Sequence, residues 1–276
     1  MARYAYLGPS GTFTEAALRQ ITTGDDELIP YANVTAALDA VRLGEVGRAL
    51  VPIENSVEGV VARTLDELAT GDPLVITAET TLPVTFALMV LPENVGKPIT
   101  RIATHPHAES QCRSFIAHEL PGVEIIMTNS TAAAAAELPK GEWDAAIAAP
   151  FAADKYGATI IAQGIGDNEG AVTRFVLVEK PREVAPPSGN DRTSLVAFID
   201  NDHPGALLEI LQALGREGIN LTFIQSRPTG RELGHYHFIM DIEAHINEER
   251  VQRALVGVGA VCDEIRLLGS YPRISA

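Results

Sequence analysis

Short apolar runs alternate with helical patterns through the first 180 residues of this 276-residue chain. Strand-like runs lie at 4–7, 28–31, 49–53, 99–103, 124–127, 145–148 and 159–162, and helical patterns at 15–21, 34–43 and 131–138. Repetition of strand, turn and helix predicts an α/β region with a mainly parallel sheet covered by helices. Ligands of such sheets bind outside the carboxyl ends of the strands, so polar residues at those ends are the candidates for a functional site.

A different pattern follows a proline-rich segment. Residues 181–192 contain three prolines and mixed charge without periodicity, which is typical of a linker. Beyond it the patterns predict a strand, a helix, two strands, a helix and a final strand, at 193–200, 204–216, 220–227, 234–243, 248–258 and 263–268. This βαββαβ order predicts a ferredoxin-like domain over residues 193–276.

Composition limits the classes of binding partner and the cellular compartment that we expect for this protein. A formal net charge of −15 argues against nucleic acid or an anionic membrane as the main partner. No apolar run approaches the roughly 20 residues of a membrane span. The two cysteines are far apart, and the first residues lead into a strand pattern without the features of a secretory signal. We therefore expect a cytoplasmic protein.

One arginine lies at the start of an apolar strand. Arg174 follows Thr173 and precedes the run Phe175–Val178, which is continuously apolar, as strands buried on both faces are. Burying an unpaired charge is costly, so Arg174 should reach solvent, pair with a carboxylate of its own chain, or bind an anionic ligand at the strand end. The sequence leaves these three possibilities open.

Three further segments place polar residues where strands give way to helices. VPIENSVEGVV puts Glu54, Asn55 and Ser56 at a strand end, where they could bind a ligand or cap a helix. GPSGTFTEAA lacks the lysine of a phosphate loop, so it favours a carboxylate held by hydroxyls and backbone N–H groups over a nucleotide. THPHAESQC has two histidines but no third ligand at a recognisable spacing, and we expect no metal there.

In this order and spacing, GPSGTFTEAA, VPIENSVEGVV, HPHAESQC, TRFVLV, GALLEIL and QSRP resemble the prephenate dehydratase family with a C-terminal ACT domain. The resemblance covers nearly the whole chain. It implies a catalytic region similar to type II periplasmic-binding proteins, with lobe one at about 1–80 and 165–180, lobe two at about 81–164, and the site in a cleft between the lobes. It also implies a cofactor-free lyase that converts prephenate to phenylpyruvate, with loss of water and carbon dioxide, in phenylalanine biosynthesis.

The resemblance also assigns roles to individual residues. Thr173 matches the catalytic threonine, and Glu54 is a candidate for returning a proton to it. The substrate-binding set that it implies is Ser10, Gly11, Thr12, Thr14, Asn55, Ser56, Gln111, Arg174 and Phe175. Inhibitory phenylalanine would bind between paired ACT domains, in a homodimer or homotetramer, through His203, Pro204, Gly205, Ala206, Leu207, Leu208, Asn220, Leu221, Gln225, Ser226, Arg227 and Pro228.

Two other functions stay open at this point. Arogenate dehydratase acts on a substrate with an amino group in place of the keto group, and the motifs do not separate the two enzymes. A non-catalytic sensor of aromatic metabolites would keep the fold and make Thr173 dispensable for binding. The effector is a further open point, because Gln225 stands where the family has a glutamate and could hold a ligand ammonium differently.

Overall fold

The computed structural model describes residues 1–199, 203–229 and 236–274, which form three β-sheets. Strands and helices are numbered in chain order. The first sheet contains β1 (Arg3–Leu7), β2 (Glu27–Tyr31), β3 (Arg48–Asn55), β4 (Gly59–Val60), β5 (Val75–Pro83) and β11 (Val172–Glu179). Its strand order is β2-β1-β3-β11-β5, and β4 pairs with β3. The helices in this part of the chain are α1 (Phe13–Arg19), α2 (Val34–Leu43) and α3 (Ala62–Thr70).

The second sheet is enclosed by helices on both faces. It has the order β10-β6-β9-β7-β8, built from β6 (Ala87–Val90), β7 (Arg101–Thr104), β8 (Glu124–Met127), β9 (Ala145–Ala148) and β10 (Thr159–Gln163). Alternate strand residues enter two separate cores. Leu88 and Ile147 pack on the side of α4 (Pro106–Gln111) and α5 (Arg113–Glu119). Met89 and Ala146 pack on the side of α6 (Thr131–Ala136) and α7 (Phe151–Tyr156).

The third sheet forms the C-terminal domain. Its elements are β12 (Asp191–Phe198), α8 (Ala206–Arg216), β13 (Leu221–Pro228), β14 (Tyr236–Ile242), α9 (Glu249–Gly259) and β15 (Glu264–Pro272). The antiparallel order β13-β14-β12-β15 and the core beneath the two helices confirm the ferredoxin-like prediction. Asp200 and Gly234, at the ends of two predicted strands, lie outside the described residues.

The chain divides into two compact units. The first comprises Met1–Ala37, Leu50–Val60 and Thr81–Phe175, and the second comprises Leu38–Ala49, Val61–Thr80 and Val176–Ala276. Most residues of the segments that resemble the dehydratase motifs, including Thr173–Phe175, lie in the first unit, and the ACT segments lie in the second. No helix within the three described ranges is long and apolar enough to cross a membrane.

One expectation about local structure was wrong, and one of two alternatives was excluded. The second sheet is not mainly parallel, because β6 runs antiparallel to both β9 and β10 while β7 is parallel to β8 and β9. Asn55 and Ser56 do not cap the helix that follows them, because α3 begins at Ala62 and Val61 precedes it. The chain instead turns back as β4, which pairs with Glu54 and Asn55, and Gly59 supplies the φ of 83° that favours glycine.

Candidate active site

The hydroxyl of Thr173 is held by the side-chain amide of Asn55. Asn55 Nδ2 lies 2.8 Å from Thr173 Oγ1, while Asn55 Oδ1 accepts the backbone N–H groups of Val57 and Glu58 at 2.8 and 2.9 Å. Two donors therefore fix which end of the amide is oxygen, and the nitrogen must donate to Thr173. Thr173 Oγ1 is an acceptor in this bond, so its own proton remains for another partner.

Ser56 fixes the backbone next to Thr173. Its N–H donates to the carbonyl of Val172 at 2.9 Å, and its hydroxyl accepts the N–H of Val172 at 2.9 Å. Asn55 thus lies opposite Thr173, and Ser56 lies opposite Val172. This pairing shows that β3 and β11 run antiparallel at this end. Ser56 was predicted to bind substrate, and in the structure it clamps the first residue of the strand that carries Thr173.

The opposite face of this strand pair carries an ion pair. Arg174 Nε lies 3.3 Å from Glu54 Oε2, and the Arg174 side chain is buried. Successive strand residues point to opposite faces, so this pair lies on the other side of the sheet from Asn55 and Thr173. Of the three possibilities for Arg174, the structure shows pairing with a carboxylate of its own chain. Phe175 is 1% exposed and belongs to the core.

Gln111 is contacted by Glu58, a residue that the sequence analysis did not single out. Glu58 Oε1 accepts from Gln111 Nε2 at 3.0 Å and from the Ser110 hydroxyl at 3.3 Å. Gln111 ends α4 and is buried, and Cys112 separates α4 from α5. The signal for Glu58 was present in the sequence, because it lies two residues beyond Ser56 in the same motif.

The first loop already holds a carboxylate, and that carboxylate belongs to Glu15. The Ser10 hydroxyl and the Gly11 N–H both donate to Glu15 Oε2 at 2.6 Å, and the Ser10 carbonyl accepts from the Tyr156 hydroxyl. The Thr12 hydroxyl donates to the carbonyl of Leu7 at 2.9 Å, and Thr14 is buried in α1. The predicted type of contact is therefore present, but an internal carboxylate occupies the donors assigned to substrate.

A groove of about 610 Å³ lies beside this loop and is lined by Gly11, Thr12, Glu15, Phe151 and Lys155, among others. Lys155 Nζ lies 3.4 Å from Glu15 Oε1, so this cation is also paired with the internal carboxylate. Thr173 is not part of the lining.

Glu15 has the most strongly lowered carboxyl pKa of the first unit. Burial alone would raise it, but hydrogen bonds from Ser10, the Gly11 N–H and Arg19, with the charge of Lys155, lower the pKa to about 2 from 4.5. A folded-state pKa below the unfolded value stabilises the protein above pH 4.5, and this stability is lost as the pH falls towards 2. The lowered pKa corresponds to about 3 kcal/mol of folding free energy at neutral pH.

We expect Glu15→Gln to remove part of the acid sensitivity of folding. Urea unfolding of the wild type should show a free energy of unfolding that falls by about 2 kcal/mol more than that of the variant between about pH 6 and about pH 3. Glu142→Gln, at an exposed position, is the matched control and should behave as the wild type. Equal pH dependence for the wild type and Glu15→Gln would contradict the assignment.

The two histidines of the HPHAESQC motif lie at the start of α4. His105 Nδ1 accepts the backbone N–H of His107 at 3.2 Å, and their rings meet edge to face with centroids 4.9 Å apart. Burial and then the charge of His107 lower the pKa of His105, and the charge of Glu58 opposes them. Within residues 1–199, 203–229 and 236–274, no three His, Cys, Asp or Glu side chains are grouped to hold a metal ion.

The residues assigned to the effector lie near both ends of α8. Gly205 precedes this helix with a φ of 101°, and an added Cβ would meet no atom within 4 Å, so its conformation is the reason for glycine here. Eleven helical residues span about 16 Å, which puts Asn220 and Leu221 at the far end. β12 and β13 are both antiparallel to β14, so β13 brings Gln225–Pro228 back towards the start of α8.

Arg227, one of the residues assigned to the effector, makes a two-pronged ion pair within the chain. Its Nε and Nη2 lie 2.8 and 2.6 Å from the two carboxylate oxygens of Asp66 in α3. The hydrogen bonds to Asp66 raise the pKa of Arg227. The ion pair therefore joins the ACT motif to α3 within the second unit.

Comparison with known proteins decides the family. The prephenate dehydratase family model matches residues 4–183, and the ACT domain model matches residues 193–260. The chain belongs to the prephenate dehydratase family. A curated prephenate dehydratase from Amycolatopsis methanolica is 45% identical over 274 residues, which cover 99% of this chain and 89% of that protein.

Two solved structures extend the comparison. One is described as a prephenate dehydratase in complex with L-Phe from Arthrobacter aurescens, with a TM-score of 0.91, 46% identity, and coverage of 98% of this chain and 90% of that one. Another is described as GqqA, a novel type of quorum quenching acylase, with a TM-score of 0.85, 28% identity, and coverage of 99% and 98%. The predicted prephenate dehydratase fold and family are therefore confirmed, whereas the roles of single residues remain predictions.

Proposed function

We propose that this chain converts prephenate to phenylpyruvate, water and carbon dioxide, with Thr173 at the reacting end of the substrate. One observation carries the role of Thr173. The Asn55 amide donates to its hydroxyl oxygen, which leaves the hydroxyl proton directed elsewhere. We propose further that lobe one comprises about residues 1–80 and 165–180 and lobe two about 81–164, as the family resemblance implies.

The reaction breaks two bonds and makes the ring aromatic. The electron pair of the bond to the ring carboxylate enters the ring as carbon dioxide leaves, and the bond to the ring hydroxyl breaks at the opposite end. Hydroxide is a poor leaving group, so it needs a hydrogen bond or a proton in the transition state. Positioned proton donors typically contribute about 10² to 10⁴ in rate.

Thr173 is too weak an acid to release its proton alone, so it donates a hydrogen bond or relays a proton. Glu54 was a candidate for returning that proton on condition that it is buried. Its side chain is 41% exposed, and it pairs with Arg174 on the face opposite Thr173. We therefore assign the return of the proton to water.

The same geometry changes the role that we propose for Arg174. The sequence allowed Arg174 to bind an anionic ligand, such as the pyruvyl carboxylate of prephenate, or to pair with a carboxylate of its own chain. The contact with Glu54 favours the ion pair, which joins β3 to β11 beside the reacting residues. Gln111 is the better candidate for a polar substrate group, because its buried amide already donates to a carboxylate oxygen. We expect no tight contact with the ring carboxylate, because such a contact would stabilise the ground state and slow decarboxylation.

Turnover of prephenate and arogenate, measured side by side with purified protein, tests the proposed substrate. A higher kcat/KM for prephenate supports the proposal. A higher kcat/KM for arogenate would make arogenate the substrate of the same dehydration and decarboxylation. Binding of prephenate by calorimetry without any turnover would favour the sensor.

An acylase needs an activated nucleophile. The partner of the Thr173 hydroxyl is an amide and not a base, so we assign no acylase activity to this chain.

We propose that phenylalanine inhibits this reaction by binding to paired ACT domains. β13 is an edge strand, and Leu208 of α8 and Ile224 of β13 are exposed, which supports pairing of two copies along this side. The coupling between effector and active site would typically amount to about 1 to 3 kcal/mol. Phenylalanine should therefore lower turnover by about 5-fold to 150-fold. Unchanged turnover at saturating phenylalanine would contradict the proposed regulation.

A further inference from the structure

Glu58 lies in a continuous series of hydrogen bonds between Thr173 and Gln111. On one side, Asn55 accepts the backbone N–H of Glu58 at 2.9 Å and donates to Thr173 at 2.8 Å. On the other side, the Glu58 carboxylate accepts from Gln111 Nε2 at 3.0 Å. Thr173 belongs to the first sheet, and Gln111 lies on the helix after β7 of the second sheet. Four residues of the first unit thus link the start of β11 to the end of α4.

A carboxylate at this position is electrostatically unfavourable for the proposed substrate. Prephenate carries two carboxylates, and like charges in a partly buried site repel each other. The Glu58 side chain is 30% exposed. Its carboxylate accepts a hydrogen bond from the Ser110 hydroxyl at 3.3 Å, and His107 Nε2 lies 4.0 Å from it. Its contacts therefore point to a structural purpose for the acid within the site.

The contact with Gln111 has a direct consequence for the amide. Gln111 Nε2 carries two hydrogens, and the bond to Glu58 uses one of them. That bond fixes the orientation of the amide plane and directs the second hydrogen away from Glu58. Asn55 binds both the backbone of Glu58 and the Thr173 hydroxyl. Glu58 therefore fixes the position of the Gln111 amide relative to the Thr173 hydroxyl.

We propose that Glu58 is a positioning residue that orients the Gln111 amide and sets its distance from the Thr173 hydroxyl. The kinetic consequence rests on the proposed function, whereas the orientation of the amide can be tested without turnover. A misplacement of about 1 Å at a reacting centre can cost about 100-fold in rate. The contribution of Glu58 should accordingly appear in kcat more than in KM.

Kinetics of three variants test the proposal. We expect Glu58→Ala to lower kcat by about 10-fold to 100-fold. Glu58→Gln keeps an acceptor oxygen for the Gln111 amide and should restore most of the rate. Combining Glu58→Ala with Gln111→Ala should be no slower than Gln111→Ala alone, because residues that act through one contact are not additive.

The opposite outcome is equally specific. If Glu58 acted only by repelling the dianionic substrate, Glu58→Ala and Glu58→Gln would lower KM alike and leave kcat unchanged, and the proposal would be wrong. Glu109→Ala is the charge-matched control. Glu109 lies on the same helix as Gln111 and pairs with Arg113 at 3.5 Å, so its loss should leave kcat at the wild-type value.

NMR of the Gln111 side-chain amide separates this inference from the proposed function. In protein labelled with ¹⁵N-glutamine, the signal is assigned by its loss in Gln111→Asn. We expect Glu58→Ala to shift this signal and speed its exchange with water, and Glu58→Gln to leave it in place. An unchanged signal in Glu58→Ala would overturn the inference. A shifted signal in a protein that leaves prephenate unreacted would support the contact and reject the proposed reaction.

Discussion

Thr173→Val is expected to lower the turnover of prephenate by about 10² to 10⁴ while leaving substrate affinity nearly unchanged. Valine has nearly the shape of threonine, so the variant removes the hydroxyl and little else. It also leaves the Asn55 amide without its acceptor, which costs about 1 to 3 kcal/mol of stability if the amide finds no water. Steady-state formation of phenylpyruvate gives the rate, and calorimetry with prephenate gives the affinity.

The matched control for this prediction is Thr173→Ser, which keeps the hydroxyl and its bond to Asn55. It should retain far more activity than Thr173→Val, because the proton donor is still present. Equal losses in the two variants would show that the methyl group, and hence packing, matters at this position. Undiminished turnover in Thr173→Val would remove Thr173 from the chemistry.

The second large effect is expected at Gly269, in the second unit. Gly269 has a φ of 152°, and a Cβ there would lie 2.1 Å from the carbonyl oxygen of Ile76. Because that neighbour is backbone, it cannot rotate away as a side chain could. Gly269→Ala should therefore cost about 3 kcal/mol or more, from overpacking together with backbone strain. The thermal midpoint should fall by about 6 °C or more.

Gly215→Ala is the control for this substitution. Gly215 lies exposed in α8 with no atom within 4 Å of an added Cβ, and alanine is the better helix former. The thermal midpoint should stay constant or rise slightly, by calorimetry under the same conditions. A midpoint for Gly269→Ala equal to that of the wild type would mean that β15 does not approach β5 as described.

The sequence was informative where a pattern is local. The alternation of short apolar runs with helices, and the βαββαβ order after the linker, depend on neighbouring residues and predicted most of the strands, whereas β5 and β6 were missed and the second sheet is not mainly parallel. α3 was missed although its buried residues Thr64, Leu65, Leu68 and Ala69 recur at helical spacing. It is preceded by Val61, which provides no capping hydrogen bond, so the usual signal for a helix start is absent.

Contacts across the sequence were harder to predict than elements. The donors in the first loop were identified from its hydroxyls and glycine, but the carboxylate that reaches them, Glu15, was not. Arg227 and Asp66 are 161 positions apart, and nothing in either segment marks the other as its partner. A motif shows which groups a site offers, whereas the fold decides which of them already bind each other.

The most direct test of the proposed function is the conversion of prephenate by the purified wild-type protein. Phenylpyruvate and carbon dioxide should form in equal amounts, without any added cofactor, and phenylalanine should slow the reaction. Formation of both products at that ratio would establish a decarboxylating dehydratase. A protein that binds prephenate with measurable affinity and returns it unchanged would contradict the account and favour a sensor with the same fold.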